Sequence, residues 1–268
     1  MKENPNTLIL DAGNLAYDKG QAGFILDVMK ELGYTILGVG NQEAKIGNAI
    51  FNAAKEKGIQ VIEAGPNQPE GIAPYVVKVI NGIKVGIISF GSSGNDEEAR
   101  SLSVLKARYA AFREARKASD ILILMEPISR PNELVTDDWL MRNTQRLGSP
   151  DIVITFAFQG SDSESRMVGK TLIAPVSSQA RRIAAINIYA EDKSNPKMEF
   201  QSVDLNDQIA EDQHIGELVT QYEQQRLSPT RKPPNNAASA QTLPPPPPNP
   251  STLPPAPSNP PSPLGTKR

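Results

Sequence analysis

The 268-residue sequence predicts an α/β fold, two central sheets with helices outside, followed by an extended tail. Three observations lead there. From Thr7 to Ile62, apolar runs of strand length alternate with amphipathic runs of helix length, the βαβα order that produces parallel strands. Two further strand-like runs flank Asn81-Gly82, whose tolerance of positive φ suits a tight hairpin turn, so an antiparallel element joins the parallel one. Most of the 24 prolines fall after Leu227, where apolar residues become too sparse to offset ordering entropy.

Taken in order, Thr7 to Asp11 is a short apolar strand ending at Ala12-Gly13-Asn14. Phe24, Ile25, Val28, Met29 and Leu32 repeat at helical spacing, so Gln21 to Leu32 is a helix with one buried face, stopped by Gly33. Tyr34 to Val39 is the next strand, Ala44 to Lys57 the next helix, and Ile59 to Ile62 the strand after it. The hairpin strands are Tyr75 to Ile80 and Ile83 to Ser89. A helix from Asn95 to Ser119, with Leu102, Leu105, Tyr109 and Phe112 on its buried side, feeds the apolar strand Ile121 to Met125. Glu133 to Arg146 is an amphipathic helix holding Trp139 as a core residue, and Asp151 to Phe158 is another buried strand. Leu172 to Ala174 and Ala184 to Tyr189 are expected to pair, Met198 to Val203 is the last strand, and Gln208 to Arg226 the last helix. The folded domain is therefore placed at residues 1–226 and a disordered, proline-rich tail at 227–268. Such a tail suits a spacer of polyproline II type, or a ligand for a proline-recognising protein partner.

Composition excludes several chemistries. A net charge of −2 gives no general electrostatic reason to bind nucleic acid. Without cysteine there is no disulfide, thiolate nucleophile or Cys-ligated zinc, and with His214 as the single histidine there is no histidine pair for a metal or a relay. His214, beside Glu211 and Asp212, is expected at the surface. No apolar run reaches the roughly 18 residues of a membrane span.

The stretch Tyr34 to Ala54 is where a ligand would sit, because a strand there ends in Gly38-Val39-Gly40 and passes through Asn41-Gln42-Glu43 into a helix. A dinucleotide-binding turn is one reading, with Glu63 as the ribose-binding acid. It fails at Glu43, a carboxylate at the helix N-terminus where a pyrophosphate should lie.

More of the chain fits another pattern. The segment ENPNTLILDAGN, residues 3–14, resembles the stretch of bacterial 5′-nucleotidases and related calcineurin-like metallophosphatases that ends in a Gly-Asp motif, read here as Gly13-Asn14. Gly40-Asn41-Gln42-Glu43 is similar to the family's Gly-Asn-His-Glu motif, and Pro74 to Val77 with Gly86 to Ile88 resembles its hairpin. Asp151 to Ile154 leads to where its Gly-His-x-His motif would fall. The resemblance spans roughly residues 3–226 and rests on the order and spacing of the motifs.

The resemblance implies a four-layer α/β/β/α sandwich with a two-metal centre at the carboxyl ends of the strands, where the metals activate a water to attack phosphorus. It also implies what has been lost. Asn14 stands in place of the bridging aspartate, and Gln42 replaces the histidine that protonates the leaving group. No histidine lies near Met125-Glu126-Pro127, and Ala157 and Gln159 take the last two ligand positions. Asn14 and Asn41 remain as vestigial metal positions, since an amide oxygen is an acceptable hard-metal ligand. One residual cation on Asp11, Asn14, Asn41 and Glu43 is the most they could share. The family's first strand, with an Asp-x-His pair, has no counterpart, so either an opening segment upstream of Met1, the favoured expectation, or a sheet lacking one central strand is expected, and with an upstream signal an envelope or periplasmic location.

The expected function is that of a non-catalytic 5′-nucleotidase-like protein acting as a binding or scaffold module, without a cofactor. The alternative is an active phosphoesterase using Mn, Mg or Zn with further ligands from an upstream segment.

Overall fold

The structure is a computed structural model that describes residues 6–16, 18–66, 68–91, 101–126, 148–157, 164–177, 181–193 and 195–227. The expected helix at Glu133 to Arg146, with Trp139, lies outside the described residues, as does the tail beyond Leu227. Apart from Arg226 and Leu227 at the end of the last helix, everything described below belongs to the unit Met1–Gln225.

The first half builds a parallel sheet. Strands β1 (Leu10–Asp11), β2 (Ile36–Gly38) and β3 (Gln60–Ile62) stand in the order β1-β2-β3, with Leu10 opposite Ile36 and Leu37 opposite Val61. Helix α1 (Lys19–Glu31) connects β1 to β2; its N-cap Asp18 accepts from Gln21 N at 2.9 Å, and Gly33 ends it at φ 81°. The single helix expected over Ala44 to Lys57 is instead two, α2 (Asn41–Ile46) and α3 (Asn48–Glu56). Gly47 separates them at φ 68°, where a residue without Cβ is strain-free.

The second sheet holds β4 (Tyr75–Ile80), β5 (Ile83–Ser89), β6 (Ile121–Glu126), β7 (Ile152–Ala157), β8 (Arg166–Val168) and β9 (Thr171–Ser177), in the order β4-β5-β6-β7-β9-β8. Asn81 and Gly82, at φ 50° and 76°, make the tight turn between β4 and β5, with Ile80 opposite Ile83. Strands β5, β6, β7 and β9 are parallel. Helix α4 (Leu102–Ala118), capped by Ser101, precedes β6. Its buried stripe is Val104, Ala111, Phe112 and Ala115, while Leu102, expected inside, is 66% exposed. Leu102 is the first residue of the helix, before the buried stripe begins at Val104.

One expected pairing is corrected. The strand containing Leu172 to Ala174 does not pair with Ala184 to Tyr189; it is β9, hydrogen-bonded between β7 and β8. Strand β10 (Arg182–Tyr189) pairs instead with β11 (Lys197–Asp204), antiparallel from Arg182↔Asp204 to Tyr189↔Lys197. The turn at Gly169-Lys170 folds β8 back on β9 and so claims that edge. At the tip of the β10–β11 pair, Lys193 reaches Gly82 O and Asp120 Oδ2, each at 3.2 Å. The last helix, α5 (Gln213–Leu227), starts later than expected, with Asp212 Oδ1 accepting from Ile215 N; Tyr222 stacks on Phe24 of α1 at 4.2 Å.

Three apolar clusters set the layers. Leu26, Met29, Ile50, Phe51 and Ala54 of α1 and α3 pack on Leu37 and Val61. Between the sheets lie Ile36 and Ile62 from the first and Ile87, Met125, Ile152 and Ile154 from the second, edged by Ile186, Ile188, Met198 and Phe200 of β10 and β11. Ala111, Phe112 and Ala115 of α4 cover Ile88, Leu122, Leu124 and Val153 on the far side. The order is helices, sheet, sheet, helix, the four-layer sandwich expected from the resemblance. Each fully buried Ile or Leu in these layers contributes about 1.5–3 kcal/mol.

Candidate functional site

Parallel strands in both sheets bring their carboxyl ends to one edge of the sandwich, and the chain crosses that edge at Asp11–Leu15 after β1 and at Gly38–Glu43 after β2. These two segments are knotted chiefly by one side chain. Glu43, fully buried at the third position of α2, accepts Asn14 N at 2.7 Å, Leu15 N at 2.8 Å and Gly40 N at 2.8 Å. The last of these closes the N-terminus of α2, whose dipole further favours the carboxylate. Both Glu43 oxygens are thereby occupied with backbone, and the helix terminus that a dinucleotide would need is filled.

Glycines make the approach possible. Gly13 adopts φ 106°, and a Cβ there would stand 2.6 Å from Gly38 O and 2.7 Å from Gly40 N. A Cβ on Gly40 would stand 2.6 Å from Asn14 Oδ1. Asn14 itself adopts φ 65°, a left-handed conformation that asparagine tolerates better than most residues, and its Oδ1 accepts Gln42 N at 3.3 Å. Asn14, Asn41, Gln42 and Glu43, assigned together from the sequence, are thus brought together. Asp11 lies beside them, with Gly13 N donating to Oδ1 at 2.7 Å. Burial pushes its carboxyl up to about 6, helped by the Glu43 charge and opposed by the Gly13 hydrogen bond.

The second sheet supplies residues that sequence reading passed over. Ser89, at the end of β5, is fully buried, and its Oγ has no hydrogen-bond partner among the described residues. It and Met125 Cε face Gly38, where an added Cβ would meet them at 2.9 and 3.1 Å. A methyl group therefore lies at the strand ends where the resemblance implies charged ligands. Glu126, at the end of β6, is 4% exposed. Ala157 ends β7, and Gln159 lies outside the described residues. Among the described residues no three His, Cys, Asp or Glu side chains gather as a metal-binding group. His214 is on the surface, 3.8 Å from Glu31, far in sequence and role from this edge.

Comparison with solved structures places this geometry. The 5′-nucleotidase precursor of Thermus thermophilus superposes with a TM-score of 0.65 at 16% identity, over 84% of this chain and 50% of that one. The calcineurin-like phosphoesterase YfkN of Bacillus subtilis gives 0.58 at 17% identity, over 83% and 84%. The fold is that of the calcineurin-like metallophosphatases. The Thermus thermophilus sulfate thiohydrolase SoxB shares it at a TM-score of 0.62 and 10% identity, over 80% of this chain and 42% of that one. The chain therefore spans half the length of the Thermus nucleotidase precursor. No protein-family model matches the chain, and no curated protein does. Within the metallophosphatase fold, the knot at Glu43 occupies the strand-end edge, and no helix among the described residues is long and apolar enough to cross a membrane.

Proposed function

We propose that this metallophosphatase-fold chain is non-catalytic and acts as a binding or scaffold module, its proline-rich residues 228–268 serving as spacer or docking segment for a protein partner. The observation that carries the proposal is the engagement of Asn14: its amide oxygen accepts Gln42 N, so the side chain is held by the protein's own backbone.

The described donors suit a pair of divalent metals poorly. Asn14 supplies a neutral amide where two dications would need a shared anion, and Glu43 has both oxygens committed to backbone N–H groups. Gln42 cannot exchange a proton near neutral pH, which removes the acid for a leaving group. The neighbours' hydrolytic names, nucleotidase and thiohydrolase, belong to chemistry that such a centre would not support.

The test is turnover of an aryl phosphate by the purified full chain with manganese, alongside Asn41→Ala. No turnover above buffer is expected from either. Manganese-dependent turnover that Asn41→Ala abolishes would overturn the proposal in favour of an active phosphoesterase.

A further inference from the structure

The first sheet ends at β3, and the outer edge of that strand is only half used. Gln60 N donates to Thr35 O at 2.9 Å and Val39 N to Ile62 O at 3.3 Å, so Gln60 and Ile62 turn their backbone groups toward β2. A trans peptide unit points its N–H and C=O to opposite sides, which sends Ile59 C=O, Val61 N–H and C=O, and Glu63 N–H outward. Ala73 begins a further strand on that side: it bridges Ile62 in parallel, and its carbonyl accepts Glu63 N at 3.0 Å. The chain leading up to Ala73 does not extend the pairing. Ile72 N donates back to Pro69 O at 3.1 Å and Gly71 adopts φ 84°, so the segment bends away before it reaches Gln60. Opposite Gln60, Ile59 C=O and Val61 N–H meet no backbone partner among the described residues.

The vacated place is a recess of about 560 Å³, lined by Ile59, Val61 and Ile72 from the edge and by Asn48, Asn52 and Lys55 from α3. That volume falls within the roughly 300–1,000 Å³ of sites that take small ligands, so it suits the end of a chain rather than a folded partner. Lys55 stands at the bend that closes the recess, its Nζ 4.0 Å from where a Cβ on Gly71 would lie. Glu70 is the other charge lining it. The aromatic ring there, Phe51, is buried, so a nucleobase would find no exposed face to stack on. A single extended chain reaches so recessed an edge, whereas the β3 edge of a second copy, recessed in the same way, does not.

We propose that this recess binds the carboxyl-terminal end of an extended peptide, which adds to β3 in parallel. The last residue of the peptide lies opposite Gln60 and donates its N–H to Ile59 C=O; one oxygen of its terminal carboxylate accepts Val61 N–H and the other faces Lys55. Ile72 and Ala73 hold the next places along the edge, so a chain end fits where a continuous strand does not. Glu70 would favour an amino terminus, and the parallel sense that Ala73 sets decides for the carboxylate. The inference goes beyond the non-catalytic proposal and stands whether or not the chain turns over phosphate esters.

The experiment is selection of random heptapeptides displayed with free carboxyl ends against the full chain, then fluorescence anisotropy of the enriched sequence as free acid and as carboxamide. The free acid is expected to bind about tenfold tighter than the amide, and Lys55→Gln to bring it down to the level of the amide. Asn52→Trp, at an exposed α3 position lining the recess, is expected to abolish binding with the circular dichroism unchanged, and Asn48→Trp serves as an independent second block. In the complex the Val61 amide is expected to gain protection from hydrogen exchange. Failure to enrich any sequence over the Asn52→Trp protein, equal binding of acid and amide, or a Val61 amide that exchanges equally fast bound and free would each overturn the proposal. So would sedimentation as a dimer that Asn52→Trp returns to monomer, which would make a second copy the occupant.

Discussion

Replacing Glu43 removes the group that makes most of the described hydrogen bonds tying the β1 and β2 exits together. Three backbone N–H groups, from Asn14, Leu15 and Gly40, converge on its carboxylate at 2.7–2.8 Å inside a fully buried site. A hydrogen bond to a charged group contributes about 1.5–3 kcal/mol, and each donor stranded by its loss costs about 1–3 kcal/mol. The terms overlap and water can enter the vacated space, so Glu43→Ala is expected to cost about 4 kcal/mol rather than their sum. Glu43→Gln keeps one acceptor oxygen for two of the donors and turns an NH₂ toward the third, at about 2 kcal/mol. For a folded unit of this size each kcal/mol moves the midpoint by about 2–4 °C, so the variants should melt roughly 8–16 and 4–8 °C lower. Urea titration read by far-ultraviolet circular dichroism gives the same order independently. Losses below about 1 kcal/mol in both variants would refute the knot.

Two further outcomes follow from the same corner. The Asp11 carboxyl titrates near 6 in the folded chain against 3.8 for the unperturbed group, so its favourable contribution is complete below about 3.8 and disappears as pH rises through about 6. Asp11→Asn should therefore stabilise the protein more at pH 7.5 than at pH 5, measured as the difference in urea midpoints, and equal effects at both would contradict it. Gly13→Ala forces a Cβ into Gly38 O and Gly40 N at φ 106° and is expected to cost more than about 2 kcal/mol by the same titration, whereas Gly23→Ala, at a position with open space, should cost nothing.

The local signals in the sequence carried far. Asn81-Gly82 declared its hairpin because both residues accept positive φ, and the apolar run Ile121 to Met125 could only be a strand buried on both faces. The corner was legible because Glu43 stands three residues after Gly40, the spacing that lets a side chain return to its own helix terminus. What periodicity could not convey was distance along the chain. That β9 inserts between β7 and β8, while β10 turns to β11, depends on which edge is occupied first, and each strand carries the same alternating pattern either way. On α4, Phe112 is buried as its spacing implies and Leu105 and Tyr109 are half-buried, but Leu102 is exposed and Ala111 and Ala115 are buried instead, because alanines count weakly in a hydrophobic pattern.

The clasp at Lys193 bears on the order in which the protein can be made. It joins a late hairpin to Gly82, 111 positions earlier, and to Asp120, while Ile186, Ile188, Met198 and Phe200 of that hairpin edge the core between the sheets. A ribosome that has delivered the chain only as far as Ser177 has made every strand of the larger sheet but not the lid for its inner margin. Contacts of such long range are slow to form, so the nascent chain carries greasy surface until Arg182–Asp204 has been synthesised, a window in which a chaperone would find its grip.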